Sequence, residues 1–514
     1  MRIFLSILVG FMFTTHIIAW TTWDNKSVPV LAAPANPVIC STSTQLYMAL
    51  RTQQPGRAVV LKDGTYNIAS IEPLRIDSPR VSIRGMSGNP TAIVLVGKGF
   101  ENCDDVEEEM LQLYGTDVLL ADFTISECRC NCVKFQSGAN NNTVFHNVHF
   151  LNVGERMIKH PNVPFSESCT LRHCHFENTK IPSASRCGSN SLDQDGNYIA
   201  GIDIMYGRNW VIHDNVFLNI KGSSGGGRGA IFLWGMSENM VSERNTIAGC
   251  DRSICYGNPG GSYVIGGIIR NNFINRGAGQ AMEICQSSNI QTFNNTVYST
   301  VPTYSLAISY YQPGGGNEFK NNIVFGNLYR NGGAVVDTAR NLIRTTMQNW
   351  FISPATNDLH LNAFATAAVN SGLANLVTDD WNGHCRAATD ALTDIGADEY
   401  NSVVVQCPGP AIETNSDMSA GNIKITAMPN PFNSAVTITV EDVNGQQAVK
   451  RENARIDIFT IHGKHVQSLP VARPALGGLS ASFIWDASAQ PSGAYIIRVI
   501  IEEKILVKQI IFMK

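Results

Sequence analysis

Apolar and polar residues alternate along this chain in short, recurring bursts rather than with a long helical period. The stretches around Asn147 (FHNVHF), Cys174 (RHCHF), Asn215 (IHDNVF), Asn245 (SERNTI), Asn272 (IRNNFI), Asn295 (TFNNTV) and Asn322 (FKNNIV) share one pattern. A polar residue, usually Asn, is followed by an apolar residue, a variable position and often a second apolar residue. Asp122 in LLADFTI fits as an earlier member, and subtraction gives intervals of 25, 27, 41, 30, 27, 23 and 27 residues. A unit of that length, built of short alternating strands, cannot bury its own apolar face and must stack on the next unit. The expected architecture is all-β: a right-handed parallel β-helix over residues 38–400, with three short strands per coil and polar corners. Alternation places Val148 and Phe150 inside, and likewise Val216 with Ile212 of the preceding strand. Asn suits the corners because it tolerates left-handed backbone angles and its amide can bond to the Asn one coil away. The Asn series is therefore expected to be scaffold.

Two segments break the pattern at the ends. Arg2 is followed by an apolar run over residues 3–18, which has the form of an export signal, with cleavage expected after Ala19 or, alternatively, near Ala33. After a linker at 401–422, residues 423–514 alternate through VTITV, IDIFTIHGKHV, FIWD, PSGAYIIRVI and ILVKQIIFMK, a pattern of short amphipathic strands that predicts a small immunoglobulin-like sandwich.

Composition narrows the function. Only 16% of the 514 residues are charged, Gly numbers 44 and the formal net charge is −4. That suits many strands joined by tight turns, and it supplies no basic field for a nucleic-acid backbone. No stretch after the N-terminal run approaches the roughly 20 apolar residues of a membrane span. Thirteen Cys, an odd number, allow disulfides on export but leave at least one thiol over. Cys128, Cys130 and Cys132 would share one face of a single strand, where stacked buried thiols or bridges to other coils are favoured over a metal site.

Three insertions interrupt the repeat. They are GFENCDDVEEEMLQ, with its acidic run from Asp104 to Glu109; SASRCGSNSLDQDGNY, with Arg186, Asp193 and Asp195; and KGSSGGGRG, with Arg228. Loops that project from a rigid solenoid are where such folds bind ligands. The acidic run is a possible Ca²⁺ site, although consecutive carboxylates seldom converge on one ion.

The opening coil AVVLKDGTYN (58–67) resembles the β-helix family of alginate lyases and chondroitinase-B-like polysaccharide lyases. GIDIMYGRNWVIHDNVF (201–217), GGIIRNNFI (266–274), NDLHL (357–361) and DIGADEY (394–400) resemble a large group of secreted β-helix proteins. MPNPFN (428–433) and the strands after it are similar to the C-terminal sorting domains of the type IX secretion system. These resemblances imply an exported or surface protein whose partners are an extracellular polysaccharide and the secretion machinery. The implied activity is uronate lyase or epimerase, and the alternative is non-catalytic glycan or matrix binding.

Lyase chemistry needs a cation to neutralise the uronate carboxylate and a base for the C5 proton. The lyase family places a Lys and an Arg on successive coils. Here the corresponding positions hold Gln286 or Ser287 and Ser309 or Tyr310, so that basic pair is absent. The GHG and RIK-like elements of polygalacturonases and the WIDH and RxPxxR signatures of pectate lyases are absent too. A relocated site is expected from Lys159 (beside Arg156 and His160), Asp203, Glu283 and Arg228 as catalytic candidates. Trp234, Arg186 and Tyr310 are the candidates for substrate contact. Asp203 points outward if Ile202 and Ile204 face the core, and Glu283 is expected two coils further on. For Asp203 and Glu283 the competing reading is structural pairing with Arg208 and Arg270.

Overall fold

Each repeat closes one coil of a three-sided solenoid. The computed structural model describes residues 23–400 apart from 137–139, 163, 185–186, 188–194, 278, 300–305, 313, 332–334, 347, 375 and 387–391, and also Cys407. In the C-terminal module it describes residues 423–428, 434–442, 455–460, 465–469, 480–490, 493–501 and 504–512. The expected export signal, Arg186, Asp193 and most of the expected linker lie outside the described residues. Cys407, within that linker, is disulfide-bonded to Cys385.

Three long sheets run the length of the solenoid, and their neighbouring strands pair in parallel. In one coil, Leu119–Ala121 lies in the first sheet, Thr124–Cys128 in the second and Asn131–Phe135 in the third. The helix Ser43–Arg51 packs Leu46, Ala49 and Leu50 over the first coil. Its start is capped by Thr42, whose side chain accepts from the Gln45 amide.

The interior is one continuous apolar column. Phe150, Phe176 and Phe217 stack on successive coils with centroids 4.7 and 4.4 Å apart and ring planes within 6°. Val148 and Phe150 therefore face inward as expected. Val216 does not: Phe217 holds the inner position, and Val216 lines an outer cleft. The period-2 pattern is ambiguous where three apolar residues run together.

The Asn repeat divides into two adjacent columns. Asn147, His173, Asp214, Asn271, Asn294 and Asn321 take positive φ values between 50 and 56°. The residue after each bends into the coil; after Asn147 and His173 it is the apolar Val148 and Cys174, and from Asn215 onward it carries the ladder. Asn215 Nδ2 donates to Asn245 Oδ1 at 3.0 Å, Asn245 to Asn272 at 3.0 Å, Asn272 to Asn295 at 2.9 Å and Asn295 to Asn322 at 3.0 Å. Each ladder oxygen also accepts a backbone N–H from the coil before, starting at Cys174. The expectation that one residue does both jobs is thus corrected, and Asn147 aligns with His173 rather than Cys174. The left-handed bend and the buried amide need different side-chain directions, so they fall on neighbouring residues.

The three clustered cysteines do not share a strand. The chain turns from the second sheet to the third between Cys128 and Asn131. Cys128 and Cys132 enter the core, while the Cys130 thiol donates to Glu155 at 3.1 Å. Nine cysteines are free and buried. A disulfide joins Cys103 to Cys187 and so ties two of the insertions together.

Near the C-terminal end, the segment 350–400 folds back along the first corner, between the first and second sheets, and builds a second apolar core around Phe273, Trp350, Phe351, Trp381 and Ile395. It docks on the left-handed column. Asn271 Nδ2 donates to Asp379 Oδ1, Asn294 Nδ2 to the Asp394 carbonyl, and the Gly396 amide to the Asn321 carbonyl. At Gly396, φ is +104° and a Cβ would meet Ile323 at 2.7 Å, so DIGADEY needs its glycine. Residues 23–34 run along the same corner as a strap. Lys26 pairs with Asp214 at 2.8 Å, the Pro29 carbonyl lies 2.9 Å from His146 Nε2, and Arg84 holds the Leu31 and Ala32 carbonyls.

The C-terminal module has two antiparallel sheets, of three and four strands. Val436, Ile438 and Trp485 from one share a core with Ile456, Ile458, Tyr495 and Ile497 from the other.

Asn272→Ala removes one rung: the Asn245 backbone and side-chain amides lose their Oδ1 acceptor, and Asn295 Oδ1 keeps only the backbone N–H of residue 272. Unpaired buried groups cost about 1–3 kcal/mol each. Urea unfolding followed by far-UV circular dichroism is expected to show a clearly lowered midpoint, and an unchanged midpoint would deny the ladder its structural weight.

Candidate active site

Parallel pairing on the third sheet places one outward side chain per coil in a straight row. Lys134, Lys159, Asp203, Phe232, Cys255, Glu283 and Ser309 occupy successive places in it. Asp203 is the hub. Its carboxylate accepts from Lys159 Nζ at 2.8 Å, Arg156 Nε at 3.2 Å and Trp234 Nε1 at 2.8 Å. Arg156 also pairs with Glu155, which Arg129 holds from the other side at 2.8 Å. The Tyr198 ring stacks on Arg156, 3.2 Å from its guanidinium carbon to the centroid.

Ile202 and Ile204 do face the core, so Asp203 points outward as expected. It is nevertheless covered by its partners: its side chain is 1% exposed, against 13% for Lys159. Burial by itself raises the Asp203 pKa, but the Lys159 and Arg156 charges outweigh it and hold the carboxyl below its ordinary value. Burial dominates at Lys159 and draws the amine below the usual lysine range, against the opposing pull of Asp203. The ammonium lies 5.7 Å from the Trp234 ring centroid, and Trp234 stacks on Phe232. His160 is buried, bonds the Met205 carbonyl and is pushed down to about 4 by burial, so it stays neutral.

Lys159, Asp203 and Trp234 thus come together as the sequence suggests. The expected pairings of Asp203 with Arg208 and of Glu283 with Arg270 do not form: Arg208 bonds Glu167 and Glu238, and Arg270 bonds Glu243. Glu283 sits beside Arg252 at 3.7 Å. It is three coils beyond Asp203 rather than two, roughly 14 Å at the usual strand spacing. Arg228 is exposed at the edge of the face, 5.6 Å from the Tyr198 ring. Tyr310 cannot touch substrate, because it is fully buried and its hydroxyl bonds Thr292 inside the core; the outward place on that strand belongs to Ser309. The acidic run does not form an oxygen cage. Glu108 accepts the Lys98 and Arg129 amides, Asp105 pairs with Lys98, and Glu109 turns to Lys134.

Sequence reasoning missed a second concave site. At the corner of the first and second sheets, between the strap and the folded-back segment, lies a cleft of about 870 Å³ lined by Lys26, Asp214, Arg244, His360, Trp381 and Asn382 among others. Its charges satisfy one another. Arg244 bridges Asp214, Glu243 and Asp379, and His360 bonds Asp358 at 2.6 Å and Asn382 at 2.8 Å. NDLHL supplies Asp358 and His360 of these groups, yet the motif by itself does not show that it folds back onto the corner.

Comparison with known proteins matches residues 426–513 to the secretion system C-terminal sorting domain. The protein is accordingly secreted or displayed at the cell surface, and no helix among the described residues is long and apolar enough to cross a membrane. No curated protein matches the chain. Among solved structures, an alginate lyase from Paenibacillus sp. strain FPU-7 is similar at 14% identity, covering 60% of this chain and 99% of its own, with a TM-score of 0.37. A mannuronan C-5 epimerase A-module from Azotobacter vinelandii is 11% identical over 60% of this chain and 96% of its own, with a TM-score of 0.38. A PL6 family polysaccharide lyase from Pseudopedobacter saltans is 11% identical over 63% and 96%, with a TM-score of 0.32.

The buried charges of the corner make stability depend on pH. Burial raises the Glu243 pKa, but Arg244 and Arg270 overcome it and hold the carboxyl down at about 2, against an ordinary 4.5. A depressed carboxyl stabilises the fold above its unfolded pKa, and that contribution is lost as pH falls from about 4.5 towards 2. Glu243→Gln leaves two buried guanidinium groups short of a partner and is expected to cost about 3 kcal/mol at pH 7. In thermal melts the gap from wild type should close between pH 4.5 and pH 2, and equal stability at pH 7 would refute the assignment.

Proposed function

We propose that this exported protein acts on an acidic polysaccharide laid along the outer face of its third sheet, with β-elimination at a uronate as the chemistry. The observation that carries this reading is the Lys159 amine, drawn below the usual lysine range by burial and set beside the Trp234 ring on a row that repeats once per coil. A lysine so shifted holds a larger neutral fraction to take a proton. The base would remove the C5 proton, the electron pair would form the C4–C5 double bond, and the glycosidic oxygen at C4 would leave. Exposed Arg228 and half-buried Lys134 supply positive charge for sugar carboxylates, and Trp234 an aromatic surface for a sugar ring.

A second reading, glycan binding without turnover, is favoured by the Lys159–Asp203 ion pair, which keeps the amine occupied in the free protein. The two readings separate in one assay. Incubation with alginate, pectate and chondroitin, with and without Ca²⁺, is expected to yield unsaturated uronate ends on one polymer, read by ultraviolet absorbance. Lys159→Ala should cut turnover by about 10²-fold or more, and Trp234→Ala should weaken binding roughly three- to tenfold. No product from any uronan removes the lyase reading, whereas retention on a uronan column that Trp234→Ala weakens would establish the binding one.

Delivery rests on the C-terminal module. Deleting residues 423–514 is expected to stop the protein before it reaches the surface, as read by cell fractionation, and normal secretion would refute the sorting role.

A further inference from the structure

The outer face of the second sheet carries a cluster that the third-sheet site does not use. His149 and His175 occupy the same register position on adjacent coils, and Glu177 lies two residues beyond His175 on the same face. One ligand atom from each residue, an imidazole nitrogen or a carboxylate oxygen, falls within 4.8 Å of the other two. His175 Nε2 and Glu177 Oε2 are already 3.0 Å apart.

The two imidazoles are almost fully buried, with 7% and 1% exposure, and His149 Nε2 has no hydrogen-bond partner. A buried ring nitrogen without a partner is costly and asks for a ligand. The Trp23 indole closes over the pair, its ring centroid 3.5 Å from that of His175 and 4.7 Å from that of His149. Glu177 remains half-buried and leaves a way in from solvent.

We propose that His149, His175 and Glu177 form a binding site for one divalent transition-metal ion of the zinc class. Two imidazoles and a carboxylate are a zinc donor set, and imidazole disfavours calcium and magnesium, which prefer oxygen cages. Bonds of about 2.0–2.2 Å place tetrahedral ligand atoms roughly 3.3 Å apart. The His175–Glu177 separation is already close to that, and His149 can swing in without breaking any hydrogen bond at Nε2. Three protein ligands leave one coordination position open beneath Trp23. The ion would clamp two successive coils to each other under the N-terminal strap.

The test uses the full chain, secreted and free of any histidine tag, stripped with a chelator and then dialysed against zinc. One zinc per chain is expected, with a raised melting temperature, while Ca²⁺ at the same concentration gives neither. His149→Ala with His175→Ala should abolish the stoichiometric zinc, and cobalt(II) should give a d–d spectrum with the wild type that this double variant lacks. Glu177→Gln, at a half-buried surface position that leaves the core intact, should weaken zinc at least about tenfold. It keeps the test decisive if the double variant fails to fold. No stoichiometric zinc in the wild type, or zinc retained at full strength by Glu177→Gln or by the double variant, overturns the site.

Discussion

The structure depends on the hydrogen-bonded stacking of one coil on the next along the corner between the first and second sheets. There each ladder Asn accepts from the coil before it and donates to the coil after it, in a buried column from Cys174 to Asn341. A coil of short strands has too little apolar surface to hold itself together. The column of side-chain amides does at the corner what ladder hydrogen bonds do within a sheet, so register is preserved where the backbone bends. The left-handed residue just before each rung makes the bend, and its side chain is thereby aimed outward. Asn271, Asn294 and Asn321 use that freedom to bind the folded-back segment.

Fixed register turns sequence repeats into rows in space. Because every coil advances by one strand spacing, chemistry-bearing residues many positions apart become neighbours only when they share a register position. Lys159 and Asp203 are 44 residues apart yet paired at 2.8 Å, and His149 meets His175 by the same rule. The third sheet gathers a basic and aromatic cluster around one carboxylate, while the second sheet gathers two buried imidazoles beside a carboxylate. The two clusters lie on different outer faces and use different chemistry.

Charge is handled differently again at the first corner, where Arg244 and Arg386 cross-link the folded-back segment to the coils. Arg386 reaches Glu399 at 2.9 Å, the Asn271 side chain at 3.0 Å and the Gly396 carbonyl at 2.9 Å. Pairs this deeply buried are costly to assemble and more costly to break. They bind the end of the solenoid to its middle, and the cleft beside them is lined by groups already committed to one another.

The sequence by itself determined the solenoid, the exported character carried by the C-terminal sorting domain, and the meeting of Lys159, Asp203 and Trp234. All three depend on periodicity or on a contiguous motif, and periodicity survives translation into space. The tertiary structure decided which residue of each apolar pair faces inward, as at Phe217 against Val216. It also split the bend from the ladder, buried Tyr310 and brought NDLHL and DIGADEY onto the corner. Those outcomes depend on the exact coil length between two residues and on long-range folding back. A shift of one residue reverses the face of a strand, and a repeat whose interval runs from 23 to 41 residues does not reveal where that shift falls.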